Sequence, residues 1–235
     1  MMLEEVRRRH VAFSKEDRRR YKCHLFLSVF IYLFLSSFFS LSLSAQMLSE
    51  QEIIQKMTSA AEEIKTIQCN FTQTKHMKML NKELVSEGRM SCQQPDKLRW
   101  EYTTPRTSSL ILNGTDVRLM KGETNNASRN KFVGEMARLI MNSVAGKHLT
   151  DNQTFQVTAK EMPKEYMATL IPQRKEMKRI YAKLVLHFDK EQSTVTEVEL
   201  YEKNGDCTVI ELYDIHINGQ INAETFLYPS NQGRK

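Results

Sequence analysis

From residue 67 onward the chain alternates between apolar and polar positions. In KLRWEYT, residues 97–103, Leu98, Trp100 and Tyr102 share one parity, and Lys97, Arg99 and Glu101 share the other. That is the period-two pattern of a strand with one apolar and one solvated face. The same alternation predicts strands over 67–77, 84–92, 108–114 and 116–122. After a break it predicts more over 154–160, 165–172, 182–189, 194–203 and 207–217. Turn-forming residues separate them: Asn81, Pro95–Asp96, Pro105, Asn113–Gly114 and Asn204–Gly205.

Two stretches change period. Ile53, Ile54, Met57, Ala60, Ala61 and Ile64 recur every three or four residues, predicting a helix over 48–66 with Ser49 as its N-cap. Phe132, Val133, Met136, Leu139, Ile140 and Val144 do the same over 129–145, and Gly146 is a stop signal. PQRKEMKR, residues 172–179, reads as a short helix or loop with a solvated basic face. The sum is an α+β, β-rich single domain: about ten or eleven strands in a curved or barrel-like antiparallel sheet, with helices packed on its concave side. The row Leu98, Trp100, Tyr102 then faces either an ordinary core or the lining of a ligand cavity.

The first 45 residues follow different rules. A basic stretch ends at Lys22, and an apolar and hydroxyl run fills residues 25–45 up to Ala45. A positive segment, an apolar segment and a terminal small residue make an N-terminal signal peptide, with cleavage expected after Ala45. The competing reading is an uncleaved anchor, because the run is just long enough to span a bilayer. Either way residues 46–235 form the exported domain. This segment also distorts the charge. It holds eight of the 34 basic and four of the 28 acidic residues, leaving 26 against 24 in the rest of the chain. A body so close to neutral carries no nucleic-acid footprint.

Candidate chemistry is sparse. There is no GxSxG or HExxH motif, and with eight glycines in all no glycine-rich phosphate loop. His76, His148, His187 and His216 are scattered one to an element. His187 and His216 could meet across strands, but satisfied surface histidines are the simpler reading, and neither metal nor cofactor is expected. Beyond Cys23 the cysteines are Cys69, Cys92 and Cys207. A hairpin turning at Leu80–Asn81 would set Cys69 directly opposite Cys92, either as a disulfide, which export permits, or as two buried thiols.

Four segments together resemble a known family. IKTIQCNFTQTK, EGRMSCQQPDKLRWEYTTP, LILNGTDVRLM and INAETFLYP, in this order and spacing, are similar to the outer-membrane lipoprotein carrier protein family, LolA. The similarity covers residues 48–230 and is strongest over 64–120. It implies an unclosed β-barrel with helices over its opening, and a periplasmic chaperone, not an enzyme, that is expected to be monomeric. The chaperone takes lipoprotein acyl chains from an inner-membrane lipoprotein-releasing transporter to an outer-membrane acceptor. Carried over by position, Phe71, Leu98 and Trp100 match inward residues of the acyl-chain cavity, with Met90 and Tyr102 beside them. Residues 129–145 resemble a lid helix, with Phe132, Met136, Leu139 and Ile140 facing inward. One departure stands out. Members of the family carry an arginine before the proline that ties the lid closed, and here that position is Gln94. Thirteen methionines, Met57, Met90, Met136 and Met141 among the inward candidates, suit an adaptable lining. An exported carrier of another lipid or glycolipid, or a membrane-anchored lipoprotein acceptor, would show the same residues.

Overall fold

The structure is a computed structural model and describes residues 48–121, 124–128, 138–139, 141–142 and 149–228. The chain enters through helix α1, Glu50–Glu63. The Ser49 side chain accepts from the Glu52 backbone N–H, and Glu52 reaches back to the Ser49 N–H at 2.8 Å, a reciprocal capping box that fixes the start. These bonds also hold the exposed Glu52 carboxyl below its usual pKa. The apolar stripe of α1 buries Ile53, Met57 and Ala61.

Eleven strands follow: β1 Thr66–Met77, β2 Lys82–Gln93, β3 Lys97–Thr104, β4 Ser108–Asn113, β5 Asp116–Lys121 and β6 Thr124–Ser128, then β7 Phe155–Glu161, β8 Glu165–Pro172, β9 Tyr181–Asp189, β10 Thr194–Glu202 and β11 Cys207–Ile217. They form one antiparallel sheet in the order β6-β5-β4-β3-β2-β1-β11-β10-β9-β8-β7. Neighbours in sequence are neighbours in space except at one seam, where β1 pairs with β11 and joins two meanders. β6 and β7 are the two edges, so the barrel is not closed.

Every predicted strand is present, and β6 is an addition that the alternation did not signal. The pair around the first turn differs in register from the expectation. The turn is a 3₁₀ stretch, Lys78–Leu80, closed by Asn81 in the left-handed region at φ 46°. Met77 therefore pairs with Lys82, the loop is four residues long, and the register slips by two from a two-residue turn. Cys69 faces Met90 and Cys92 faces Ile67, and no disulfide joins the two cysteines. A slip of two leaves every side chain on its expected face. Burial pushes the Cys69 thiol up to about 12, which keeps it protonated and unreactive.

The predicted turn at 113–114 is a two-residue hairpin loop, with Asn113 opposite Asp116 and Gly114 at φ +63°. Residues 172–179 hold one helical turn, Lys175–Lys178. The core lies on one face of the curled sheet. It runs unbroken from Leu110 and Leu112 on β4, through Phe71 and Leu212 at the seam, to Leu184, Leu170 and Phe155 on the far side. Helix α1 closes over β7, β8 and β10 on that inner face. Of the expected second helix, Arg138, Leu139, Met141 and Asn142 are helical, and Leu139 and Met141 are buried in the same core. Phe132, Met136 and Ile140 lie outside the described residues.

Candidate functional site

Three adjacent strands place the inner-face aromatics. Phe71 on β1 lies directly opposite Gly88 on β2, and Gly88 lies opposite Tyr102 on β3. Without a side chain at 88, the Phe71 ring reaches across its neighbour strand. It stacks on Trp100 with centroids 4.0 Å apart and meets Tyr102 edge-on at 5.4 Å. Met90 and Trp100 face one another across β2 and β3, as do Cys92 and Leu98. Phe71, Met90, Leu98 and Trp100 are fully buried, and Tyr102 packs half-buried against them.

The structure thus gathers all five strand residues expected at a cavity into one wall. It adds Leu110 and Leu112, the partners of Trp100 and Leu98 on β4. It also adds the opposite wall on β8–β11, to which alternation by itself gives no role. At the upper end of the aromatic row the Tyr102 hydroxyl donates to Gln73 Oε1 at 2.9 Å. Burial pushes this phenol above its usual range, and the bond to Gln73 works against that. The Trp100 indole approaches the same hydroxyl, but its buried Nε1–H has no aligned acceptor. In this state α1 occupies the inner face with Ile53 and Met57, both essentially inaccessible to solvent.

The outer face is polar. A cleft of about 750 Å³ opens there, lined by Asn70, Arg89, Arg99, Glu101, Asp214 and His216 among others. Within it Arg99 pairs with Glu101 at 3.3 Å, and the Asn70 amide donates to the Asp214 carboxylate at 2.9 Å. The sheet separates it from the aromatic row. The C-terminal 3₁₀ turn Ala223–Phe226 docks on this outer face. Phe226 is buried, and the Thr225 carbonyl accepts from Arg99 Nη1 at 3.3 Å. That is a structural role for the C-terminal segment of the family pattern.

His187 and His216 do not meet, because β10 lies between their strands. His187 instead sits among carboxylates on the outer face, Nε2 at 2.7 Å from Glu199 and 3.4 Å from Glu197, and Nδ1 at 3.2 Å from Glu165. Partial burial opposes charging of the imidazole, but the hydrogen bonds to Glu199 and Glu165 and the charge of Glu197 outweigh it and raise its pKa above 6.5. Burial raises Glu197 as well. A group with a raised pKa binds its proton more tightly in the folded state. Its stabilisation is complete below the unfolded pKa and is lost as pH rises through the folded one. The unfolding midpoint is therefore expected to fall as pH rises above about 6.5, and His187→Gln to flatten that slope. Thermal melts across this range check it, and an unchanged slope in the variant would assign the linkage elsewhere.

A half-open antiparallel barrel with an inner face apolar from β4 to β7, and an amphipathic helix lying against it, defines a class of folds built around an apolar interior. The chain belongs to one family within it: the model for the outer membrane lipoprotein carrier protein LolA matches residues 62–229. The outer-membrane lipoprotein carrier protein of Legionella pneumophila (strain Corby) is 28% identical over 209 residues, covering 86% of this chain and 96% of that one. That of Pseudomonas putida (strain W619) is 21% identical, covering 83% and 90%. Among solved structures, the LolA superfamily protein NE2245 from Nitrosomonas europaea matches at TM-score 0.46 and 12% identity over 77% of this chain and 98% of that one. Among the described residues no helix is long and apolar enough to cross a membrane.

Proposed function

We propose that this protein is a periplasmic chaperone that holds the acyl chains of lipoproteins against its inner face and carries them from the inner to the outer membrane. The observation that supports it most is the continuous apolar inner face, with the stacked Phe71–Trp100 pair at the centre of one wall and α1 as a removable cover. The donor is an inner-membrane lipoprotein-releasing transporter and the recipient an outer-membrane acceptor. The protein acts by binding and release, without catalysis.

The energetics favour a carrier of this kind. Each buried CH₂ is worth about 0.8 kcal/mol, so one long acyl chain costs on the order of 10 kcal/mol to expose to water. A carrier that held the chain with all of that energy could not release it. Here the chain displaces Ile53 and Met57 of α1 and the buried Leu139 and Met141, and only the difference between the two packings appears as affinity. With Gln94 in place of the family arginine, closure rests on these apolar contacts and not on a charged latch.

Native mass spectrometry of the protein released from its host's periplasm tests the proposal. A population carrying a triacylated polypeptide is the expected result. A bare protein, or one carrying lipid without polypeptide, would overturn lipoprotein traffic as the function.

A further inference from the structure

The strongest feature outside the inner face is the tip of the β1–β2 hairpin. Met79 is 89% exposed, Leu80 68%, Val85 51% and Leu84 43%. Single exposed apolar side chains are ordinary on a protein surface, but four within seven positions at one apex form a patch.

The tip is held out, not frayed. The Lys78 backbone N–H donates to Asp206 Oδ1 at 3.0 Å, and Lys75 Nζ bonds Glu202 at 2.8 Å, so the neighbouring β10–β11 turn braces the hairpin from one side. Its two faces are alike. Leu84 pairs with Lys75 and has the parity of Gly88 and Met90, the inner face. Val85 pairs with Thr74 and has the parity of Arg89, the outer face. A groove on a protein partner covers one side of a hairpin, whereas a lipid environment surrounds both.

The charge at the tip is net positive: Met77–Val85 sets Lys78 and Lys82 against the single carboxylate Glu83. His76 and Glu83 pair with each other at 2.9 Å, Lys75 is taken by Glu202, and Lys78 and Lys82 make no ion pair among the described residues. Lys78 and Lys82 bracket the turn that carries Met79 and Leu80. Interfacial segments bury apolar side chains about 5–10 Å deep, beside the level where lysine meets anionic headgroups.

We infer that the hairpin tip Met77–Val85 docks the protein on an anionic lipid bilayer, with Met79 and Leu80 entering the acyl region and Lys78 and Lys82 at the headgroups. The inference does not depend on what the inner face carries, and the two readings fail separately.

The test uses the compact unit Met47–Lys235, so that the apolar run before it takes no part. It is floated with vesicles of phosphatidylcholine alone and of phosphatidylcholine mixed with phosphatidylglycerol. Wild-type protein is expected to rise with the mixed vesicles. The double variant Met79→Asp, Leu80→Asp should weaken that binding at least about tenfold. Lys78→Glu with Lys82→Glu should remove the preference for the anionic vesicles. These positions are exposed, so circular dichroism and the unfolding midpoint should stay as in wild type. A Leu80→Trp variant adds a direct readout of depth: its emission should shift to the blue on mixed vesicles and be quenched by acyl-brominated lipid. No flotation at low salt, flotation undiminished in the double aspartate variant, or an unquenched Leu80→Trp would each overturn the inference. The first of these would return the tip to a protein partner.

Discussion

Replacing Gly88 by alanine is expected to destabilise the protein by about 3 kcal/mol or more, and to lower its unfolding midpoint by roughly 6–12 °C at the usual sensitivity of a domain this size. The reason is steric and two-sided. A Cβ at position 88 would stand 2.0 Å from the Glu101 carbonyl oxygen and 2.5 Å from Phe71 Cζ. The ring could swing away, but the carbonyl belongs to the backbone of β3, so the strand itself must move. It is already irregular there, with the β2–β3 register shifting between Glu87 and Gly88. Moving the ring would also break the stack on Trp100, so the alanine reaches the inner wall as well as the fold. Gly219→Ala, where a Cβ would meet nothing within 4 Å, is the control and should stay within about 0.5 kcal/mol of wild type. Calorimetry on the two variants decides the point. Equal midpoints would mean that the strand yields more readily than its hydrogen bonding suggests.

Gly88 also marks where the sequence stops being sufficient. Alternation alone assigned faces correctly for Leu98, Trp100 and Tyr102, because a strand's period is independent of its partners. The need for glycine at 88 arises only when β1 and β2 are in register, and register depends on turn geometry. The chain turns through a 3₁₀ stretch and a left-handed Asn81, and this separates Cys69 from Cys92. β6 escaped notice for another reason. TNNAS has no apolar period, and it joins the sheet at an edge, where backbone pairing to β5 suffices. The β1–β11 seam joins segments more than a hundred residues apart, with no local signal for either partner. The carboxylates around His187 come from two other strands, β8 and β10, each of which reads as a solvated face. Where a site lies within one strand it was legible, and where it needed two distant strands only the resemblance to a family reached it. That is why the aromatic wall was expected by position, while the outer cleft and the hairpin tip were not.

The other large effect is expected at Trp100. Trp100→Ala removes a fully buried indole and should cost about 3–5 kcal/mol, since large-to-small changes in a packed core lose both transfer energy and the contacts across the void. Trp100→Phe should cost far less. It keeps a ring facing Phe71, and the group it deletes is a buried N–H with no aligned acceptor, whose loss recovers part of a desolvation penalty. The pair separates two roles of the wall. If it only supports the fold, then at a temperature where both variants are folded they should load acyl cargo equally. If it is the surface against which the chain lies, Trp100→Ala should retain at least about tenfold less cargo, because the lost apolar contact is lost to the ligand too, while Trp100→Phe stays near wild type. Binding of a fluorescent acyl probe, read beside the unfolding midpoint of each variant, distinguishes these outcomes. Leu98→Ala, one pleat along the same face, should follow Trp100→Ala in direction, since Leu98 pairs with Leu112 and Cys92 within the same wall. A loss at Trp100 without one at Leu98 would confine the contact to the aromatic stack.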